Sequence, residues 1–178
     1  MDEQVVAMSF WERLFHIDER LSARLALRAR FLRRLATFFA HTGDAAVWLA
    51  GAGTLFFLAE AVFWREIALR IITAMTAGGI ASTALKWTFR RQRPPGPSAG
   101  LYFHLDRHAL PSGHATRVAC IMVVLSPILP AWWASALLGL WAALVSLSRV
   151  ALQIHYLLDI LLGMAVGALV GLAVIWVL

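Results

Sequence analysis

The chain has little cysteine and almost no lysine. Cys120 is the only cysteine, so no intramolecular disulfide can form and no thiolate metal site can be built. Lys86 is the only lysine, and arginine supplies the other fixed cations of a chain with a formal net charge of +6. No basic stripe lies on a soluble module, which argues against nucleic acid as a partner. Residues 1–20 are charged throughout, so no cleavable signal peptide is expected.

Charged residues are also scarce. They make up 15% of the 178 residues, whereas hydrophobic residues make up 61% and the mean hydropathy is +0.73. Soluble domains are only about 45–50% apolar. The composition therefore predicts an integral membrane protein, and the length predicts that residues 1–178 form a single domain.

Five apolar segments are long enough to cross a bilayer if the turns between them are short. They cover residues 45–63, 67–87, 113–129, 131–149 and 153–178. Aromatic and charged residues at 63–66 predict an interfacial turn. The last segment repeats glycine every four residues, a spacing that lets membrane helices approach closely. These glycines are Gly163, Gly167 and Gly171.

Three segments do not fit the pattern of simple spans. Residues 1–20 are a polar lead-in, and residues 21–40 have leucines on one helical face and arginines on much of the other. Such a helix suits the membrane interface, and a sixth span is the alternative. Residues 88–112 contain four prolines and predict a surface loop. The centre of this loop contains Tyr102, Phe103, His104, Asp106, Arg107 and His108.

Three short polar clusters interrupt the apolar pattern. The first runs from Lys86 to Pro94, the second from Pro111 to His114, and the third from Ser148 to Asp159. Charge at membrane depth costs several kcal/mol unless it is paired or used, so these clusters indicate a functional site. Counting the five spans brings all three clusters to one side of the bilayer. Their cations, histidines and carboxylate are suited to binding and attacking a phosphate.

The third cluster supplies a histidine and a carboxylate on one helical face. His155 and Asp159 are four residues apart, so Asp159 can hold one imidazole nitrogen protonated and leave the other as a nucleophile. His114 can protonate a departing alkoxide as a general acid. The phosphoryl oxygens would be bound by cations and by amides at the start of the third span. These residues are Lys86, Arg93, Arg149, Ser112 and Gly113.

Other charged residues near the clusters have simpler interpretations. Arg90 and Arg91 lie inside the first cluster and are expected to be solvated or to contact lipid headgroups. Arg117, one turn into the third span, is left open between a pocket contact and none. Asp44 is expected to cap a helix rather than to pair with an active-site cation.

The three clusters resemble the signature motifs of the type-2 phosphatidic acid phosphatase family, which shares its core with vanadium-dependent haloperoxidases. The motifs read Lys-x6-Arg-Pro, Pro-Ser-Gly-His and Ser-Arg-x5-His-x3-Asp, and every signature position is matched. The resemblance implies an all-α helical bundle without a metal or other cofactor. It implies a phosphohistidine at His155, with Asp159 as its orienting partner and His114 as the acid. It also implies a phosphate pocket of Lys86, Arg93, Ser112, Gly113, His114 and Arg149.

We therefore expect a metal-independent phosphatase that removes phosphate from a membrane lipid. The expected substrates, with the isoprenoid ranked first, are undecaprenyl pyrophosphate, phosphatidylglycerol phosphate, phosphatidate and lipid A phosphate. A haloperoxidase is one alternative, but those enzymes are soluble. A non-enzymatic phosphate or lipid-phosphate transporter is the other, but it gains nothing from a His–Asp pair beside a second histidine.

The resemblance also implies a multi-pass protein of the cell membrane whose active site faces the extracytoplasmic side. The arginines of residues 20–34 should stay in the cytoplasm. The two arguments agree only if residues 21–40 cross the membrane, and for that reason we favour the crossing.

Overall fold

The structure is a computed structural model that describes residues 10–95 and 106–178. Apart from an isolated bridge, the described residues form no strands, so the predicted all-α bundle is confirmed. A short 3-10 turn, Ser126–Ile128, follows the fifth helix. The helices are α1 Phe10–Arg24, α2 Arg30–Thr42, α3 Ala45–Leu58, α4 Val62–Phe89, α5 Gly113–Leu125, α6 Trp132–Ala151 and α7 Leu157–Val177.

Helix α5 is the centre of the bundle and packs against α4, α6 and α7. The glycines of α7 face it, as their spacing predicted. A Cβ added at Gly163 would lie 2.6 Å from the carbonyl oxygen of Ser112, and one at Gly167 would overlap the carbonyl oxygen of Thr116. These two helices therefore touch through their backbones, which holds the second and third clusters at a fixed separation.

Three of the helices in the described residues are long and apolar enough to cross a membrane on their own, namely α4, α6 and α7. Helix α5 with its following turn is shorter, and α3 has 14 residues. The turn predicted at residues 63–66 is wrong, because the chain bends at residues 59–61 and α4 begins at Val62. Arg65 stabilises the actual bend by donating from Nε to the Ala59 carbonyl at 2.7 Å.

Residues 21–40 form neither one helix nor a sixth span. The chain leaves α1 after Arg24, and the Leu27 N–H donates to the Ala151 carbonyl at the end of α6, at 3.0 Å. After α2, the Asp44 carboxylate contacts His114 at the start of α5. Both ends of the segment thus lie at the end of the bundle that carries the clusters. These contacts overturn the crossing that we favoured and agree with the interfacial alternative. The polar lead-in is helical from Phe10 onward.

The predicted loop of residues 88–112 is described only at its two ends. Helix α4 ends where Arg90 takes a left-handed conformation, with φ of 49°. Gln92 and His108 then form an antiparallel bridge that joins the two ends of the loop. The expected loop centre at residues 102–104 lies outside the described residues.

Candidate active site

His155 and Asp159 lie at the junction of α6 and α7. His155 ends the loop between these helices, and Asp159 is in the first turn of α7. Both side chains are buried, and His155 Nδ1 lies 3.4 Å from Asp159 Oδ2. The same oxygen accepts a hydrogen bond of 2.8 Å from the Tyr156 amide, as in a capping box. The helix start therefore holds the carboxylate, and the carboxylate lies beside the imidazole.

The second imidazole nitrogen of His155 lies among cations. Arg93 Nη1 is 3.2 Å from His155 Nε2, and Arg93 Nη2 donates to Asp106 Oδ2 at 2.9 Å. Lys86 Nζ donates to both oxygens of the Asp106 carboxylate, at 2.7 and 2.5 Å. Two cations from the first cluster thus already bind an anionic group next to Nε2.

These charges change the pKa values of His155 and Asp106, which both lie in loops. Burial, followed by the charges of Arg93 and Arg149, holds the pKa of His155 well below its usual 6.5. Burial alone would raise the pKa of Asp106, but Lys86 and Arg93 outweigh burial and lower the pKa of this carboxyl. At neutral pH, His155 is therefore a neutral imidazole whose Nε2 lone pair faces Arg93, and Asp106 is an anion.

The second cluster begins α5 directly beside the third. Ser112 caps α5 with its hydroxyl, and its N–H donates to the Asp159 carbonyl at 2.9 Å. Gly113 lies close to the cations, because a Cβ added there would be 3.8 Å from Lys86 Nζ. The start of α5 is thereby tied to α7 on one side and faces the end of α4 on the other.

His114 is held by groups on both of its ring nitrogens. Nε2 lies 2.8 Å from Asp44 Oδ1, and Nδ1 lies 3.0 Å from Arg117 Nη2. Because a guanidinium only donates, Nδ1 accepts and Nε2 carries the hydrogen toward Asp44. Burial opposes ionisation of Asp44, but hydrogen bonds from His41 and His114 outweigh it and lower the pKa of Asp44. Asp44 makes no cap hydrogen bond to α3, so the cap prediction is wrong, whereas Arg117 does contact this cluster.

Arg149 is the cation of the third cluster. Its backbone carbonyl accepts the amides of Ile154 and His155, at 2.9 and 3.2 Å, which shapes the loop after α6. Its side-chain Nε is buried and, within the described residues, has no hydrogen-bond partner. An unsatisfied buried cationic donor is costly, and an anion bound close to this atom would reduce that cost.

Arg91 is not solvated, and that prediction is wrong. Its side chain is only 6% exposed, and Nη1 lies 2.7 Å from Asp18 Oδ2 and 3.0 Å from Asp159 Oδ1. The guanidinium lies over the rings of Phe15 and Tyr156, 4.5 and 4.1 Å from their centroids. Arg91 is therefore a buried link between α1 and the carboxylate that accompanies His155.

Sequence reasoning assigned no role to Asp18 or to the Asp106 carboxylate. One signal was available, because the three clusters contain many more cations than carboxylates. Buried cations need anionic partners, so acidic residues from elsewhere in the chain had to approach the clusters.

Comparison with known proteins agrees with this geometry. The sequence model of the PAP2 superfamily matches residues 67–178, which are more than half of the chain and include all three clusters. The chain belongs to the PAP2 superfamily, as its motifs indicated.

Two crystal structures are similar to the whole bundle. One is the first transmembrane PAP2-type phosphatidylglycerolphosphate phosphatase from Bacillus subtilis, with a TM-score of 0.74 and 26% identity over 93% of this chain and 86% of that chain. The other is Aquifex aeolicus LpxE, with a TM-score of 0.69 and 24% identity over 99% of both chains. The latter similarity concerns the fold. The protein therefore has the fold of the membrane PAP2 phosphatases.

Proposed function

We propose that the protein hydrolyses a phosphomonoester or pyrophosphate on a membrane lipid, through a phosphohistidine at His155 and without a metal. The observation that carries the proposal is the position of the Asp106 carboxylate, which Lys86 and Arg93 bind beside His155 Nε2. A phosphoryl group that replaced this carboxylate would meet the same cations. Its phosphorus would face the lone pair of a neutral imidazole.

The proposed reaction assigns one role to each group. His155 Nε2 forms a bond to phosphorus while the bond from phosphorus to the lipid oxygen breaks. Asp159 stabilises the positive charge that the imidazole gains, and Lys86, Arg93 and Arg149 with the start of α5 stabilise the phosphoryl oxygens. His114 is neutral in the structure, so it must first gain a proton at Nδ1 when the phosphate binds; the resulting imidazolium, next to Asp44, donates a proton to the leaving lipid oxygen. Neutral His114 then takes a proton from water, which attacks phosphorus and restores His155.

An apolar groove supports a lipid as the substrate. A cavity of about 620 Å³ is lined by residues of α3 and α4 and by Arg117. Its apolar walls include Leu49, Met75 and Ile80. Because Arg117 contacts His114, a chain in this groove would place its headgroup beside the cluster residues. A water-soluble phosphate ester would have no use for such a groove.

The test compares the wild-type protein with His155→Asn in detergent containing a metal chelator. We expect turnover of at least one of undecaprenyl pyrophosphate, phosphatidylglycerol phosphate, phosphatidate and lipid A phosphate. His155→Asn should reduce kcat by about 10³-fold or more. A radiolabelled phosphoenzyme that is stable to alkali and labile to acid should form only with His155 present. His16→Asn, the same change at an exposed residue of α1, is the matched control.

Two results would count against this proposal. Full turnover by His155→Asn would show that His155 is not the nucleophile. Phosphate-lipid binding without any hydrolysis by the wild-type protein would favour the transporter alternative.

For the location, we propose a multi-pass protein of the cell membrane whose site end faces outside the cytoplasm. The family resemblance supports this orientation, and the arginines of α1 and α2 at the same end oppose it by the positive-inside rule. The variant Arg28→Cys, made in a Cys120→Ala background, should react with an impermeant maleimide in intact cells. Arg65→Cys, at the other end of the bundle, should react only after permeabilisation. The reverse pattern would place the site in the cytoplasm.

A further inference from the structure

Helix α1 lies outside the segment that the family matches, yet it buries two polar side chains. Asp18 and Ser22, one helical turn apart, are its two buried residues, with 4% and 1% of their surface exposed. Most of the remaining helix is exposed. Buried polar groups need hydrogen-bond partners, so these two residues show where α1 docks.

Both side chains bind the first turn of α7. The Leu158 amide donates to Asp18 Oδ1 at 3.0 Å, and the Leu157 amide donates to Ser22 Oγ at 2.9 Å. The first amides of a helix have no partners within that helix. Helix α1 therefore supplies caps for α7 at the turn that follows His155.

Asp18 also begins a chain of charges that reaches the imidazole. Its second oxygen contacts Arg91 Nη1, and the same nitrogen contacts Asp159 Oδ1. This leaves Asp159 Oδ2 for His155 Nδ1. The Arg91 guanidinium is thus shared between two carboxylates. Without Asp18, Arg91 could form a bidentate salt bridge with both oxygens of Asp159, and this would draw Oδ2 away from the His155 imidazole.

We infer that Asp18 is a positioning residue for the proposed phosphoryl transfer: by sharing Arg91, it fixes the Asp159 carboxylate against the nucleophilic His155. The inference rests on the proposed function and deepens it. It adds to the site a residue from α1, which lies before the matched segment.

The test is Asp18→Asn, which keeps the shape and the acceptor for the Leu158 amide but removes the charge that holds Arg91. We expect kcat and the rate of phosphohistidine formation to fall by about tenfold or more, with KM changed less than about twofold. Glu19→Gln makes the same charge change on the exposed side of α1 and should leave both rates unchanged. Ser22→Ala removes a cap from the same turn of α7 and a hydrogen bond of 3.4 Å from Ser22 Oγ to Asp18 Oδ1. It leaves Asp18 Oδ2 against Arg91, so its kcat should also stay near the wild-type value.

Folded Asp18→Asn with wild-type kcat and phosphohistidine rate would overturn the inference. An equal loss in Ser22→Ala would do the same, because docking of α1 would then account for the effect. Should Asp18→Asn fail to fold, the double variant Asp18→Asn with Arg91→Gln replaces it; in this variant Asp159 loses the cation that fixes it beside His155. The expected loss of kcat is the same, and wild-type kcat would again refute the inference.

The wild-type protein and His155→Asn are assayed in parallel to separate the two claims. Turnover that requires His155 but is unaffected by Asp18→Asn refutes the inference alone. Turnover that is absent from the wild-type protein, or that survives in His155→Asn, refutes the proposed function and the inference with it.

Discussion

The two parts of the chain contribute differently to the candidate site: the part before α4 brings carboxylates, whereas the part from α4 onward brings the cations and histidines together with Asp106 and Asp159. Helices α4 to α7 and their loops carry Lys86, Arg93, His114, Arg149 and His155. The residues before α4 bring two carboxylates: Asp44 contacts His114, and Asp18 contacts Asp159 through Arg91. The segment that matches the PAP2 superfamily thus contains the groups proposed to react. Some of the groups that hold them come from outside it.

Two glycines, one in each part, differ in packing, and this difference predicts the largest effect. A Cβ at Gly167 would overlap the backbone carbonyl of Thr116, whereas nothing lies within 4 Å of a Cβ at Gly51 in α3. Gly167→Ala should lower the free energy of unfolding by about 1–3 kcal/mol. Gly51→Ala should be neutral or stabilising by up to about 1 kcal/mol, because alanine favours helices. Tryptophan fluorescence during thermal unfolding in detergent measures both. Equal unfolding free energies of Gly167→Ala and Gly51→Ala would contradict the close contact of α5 with α7.

The next prediction concerns a substitution that weakens the contact between the two parts at Asp44. Asp44→Asn weakens the hold on His114, so kcat for an alkyl phosphate should fall about tenfold. The kcat for p-nitrophenyl phosphate should change less than about twofold, because that leaving group needs no proton. His41→Gln replaces the other histidine on the same carboxylate with a residue that can still donate to it, so both rates should change less than about twofold. Equal losses with the two substrates would show that Asp44 does not act through the acid.

A smaller effect is expected from Asp106, the carboxylate that occupies the cations within the matched part. Asp106→Asn should strengthen inhibition by inorganic phosphate, by up to about fivefold, because it removes a partly exposed competing anion. Glu60→Gln, the same change at the opposite end of the bundle, serves as the control. Weaker inhibition by phosphate would mean that Asp106 assists anion binding instead.

The smallest expected change is a shift in pH dependence. The pKa of His155 lies below 6.5, so the imidazole is already neutral at pH 6.5 and the acid limb of kcat/KM should fall at lower pH. The Asp106 charge favours the imidazolium and raises the pKa of His155 against the larger opposing effects. Asp106→Asn should therefore move the acid limb to still lower pH. Measurement of kcat/KM between pH 4.5 and 7 checks this, and a shift to higher pH would contradict it.

Local sequence patterns were sufficient for much of the fold. The long apolar runs predicted α4, α6 and α7, and the glycine spacing predicted the close contact of α7. Counting spans placed the three clusters at one end of the bundle, because successive crossings alternate between membrane sides. The motifs indicated the family. None of these steps needed a contact between particular distant residues.

The remaining features depended on such contacts, and only the tertiary structure decided them. The break after α1 is made by a hydrogen bond from Leu27 to Ala151, which no local pattern encodes. Arg91 looked like a solvated charge because its partner, Asp18, belongs to a helix far away in sequence. The sequence by itself determined the helical class, the three long apolar helices and the family, and it named the residues proposed to react. The tertiary structure decided which carboxylate holds which cation or histidine, because partners of a buried charge are selected by proximity in space.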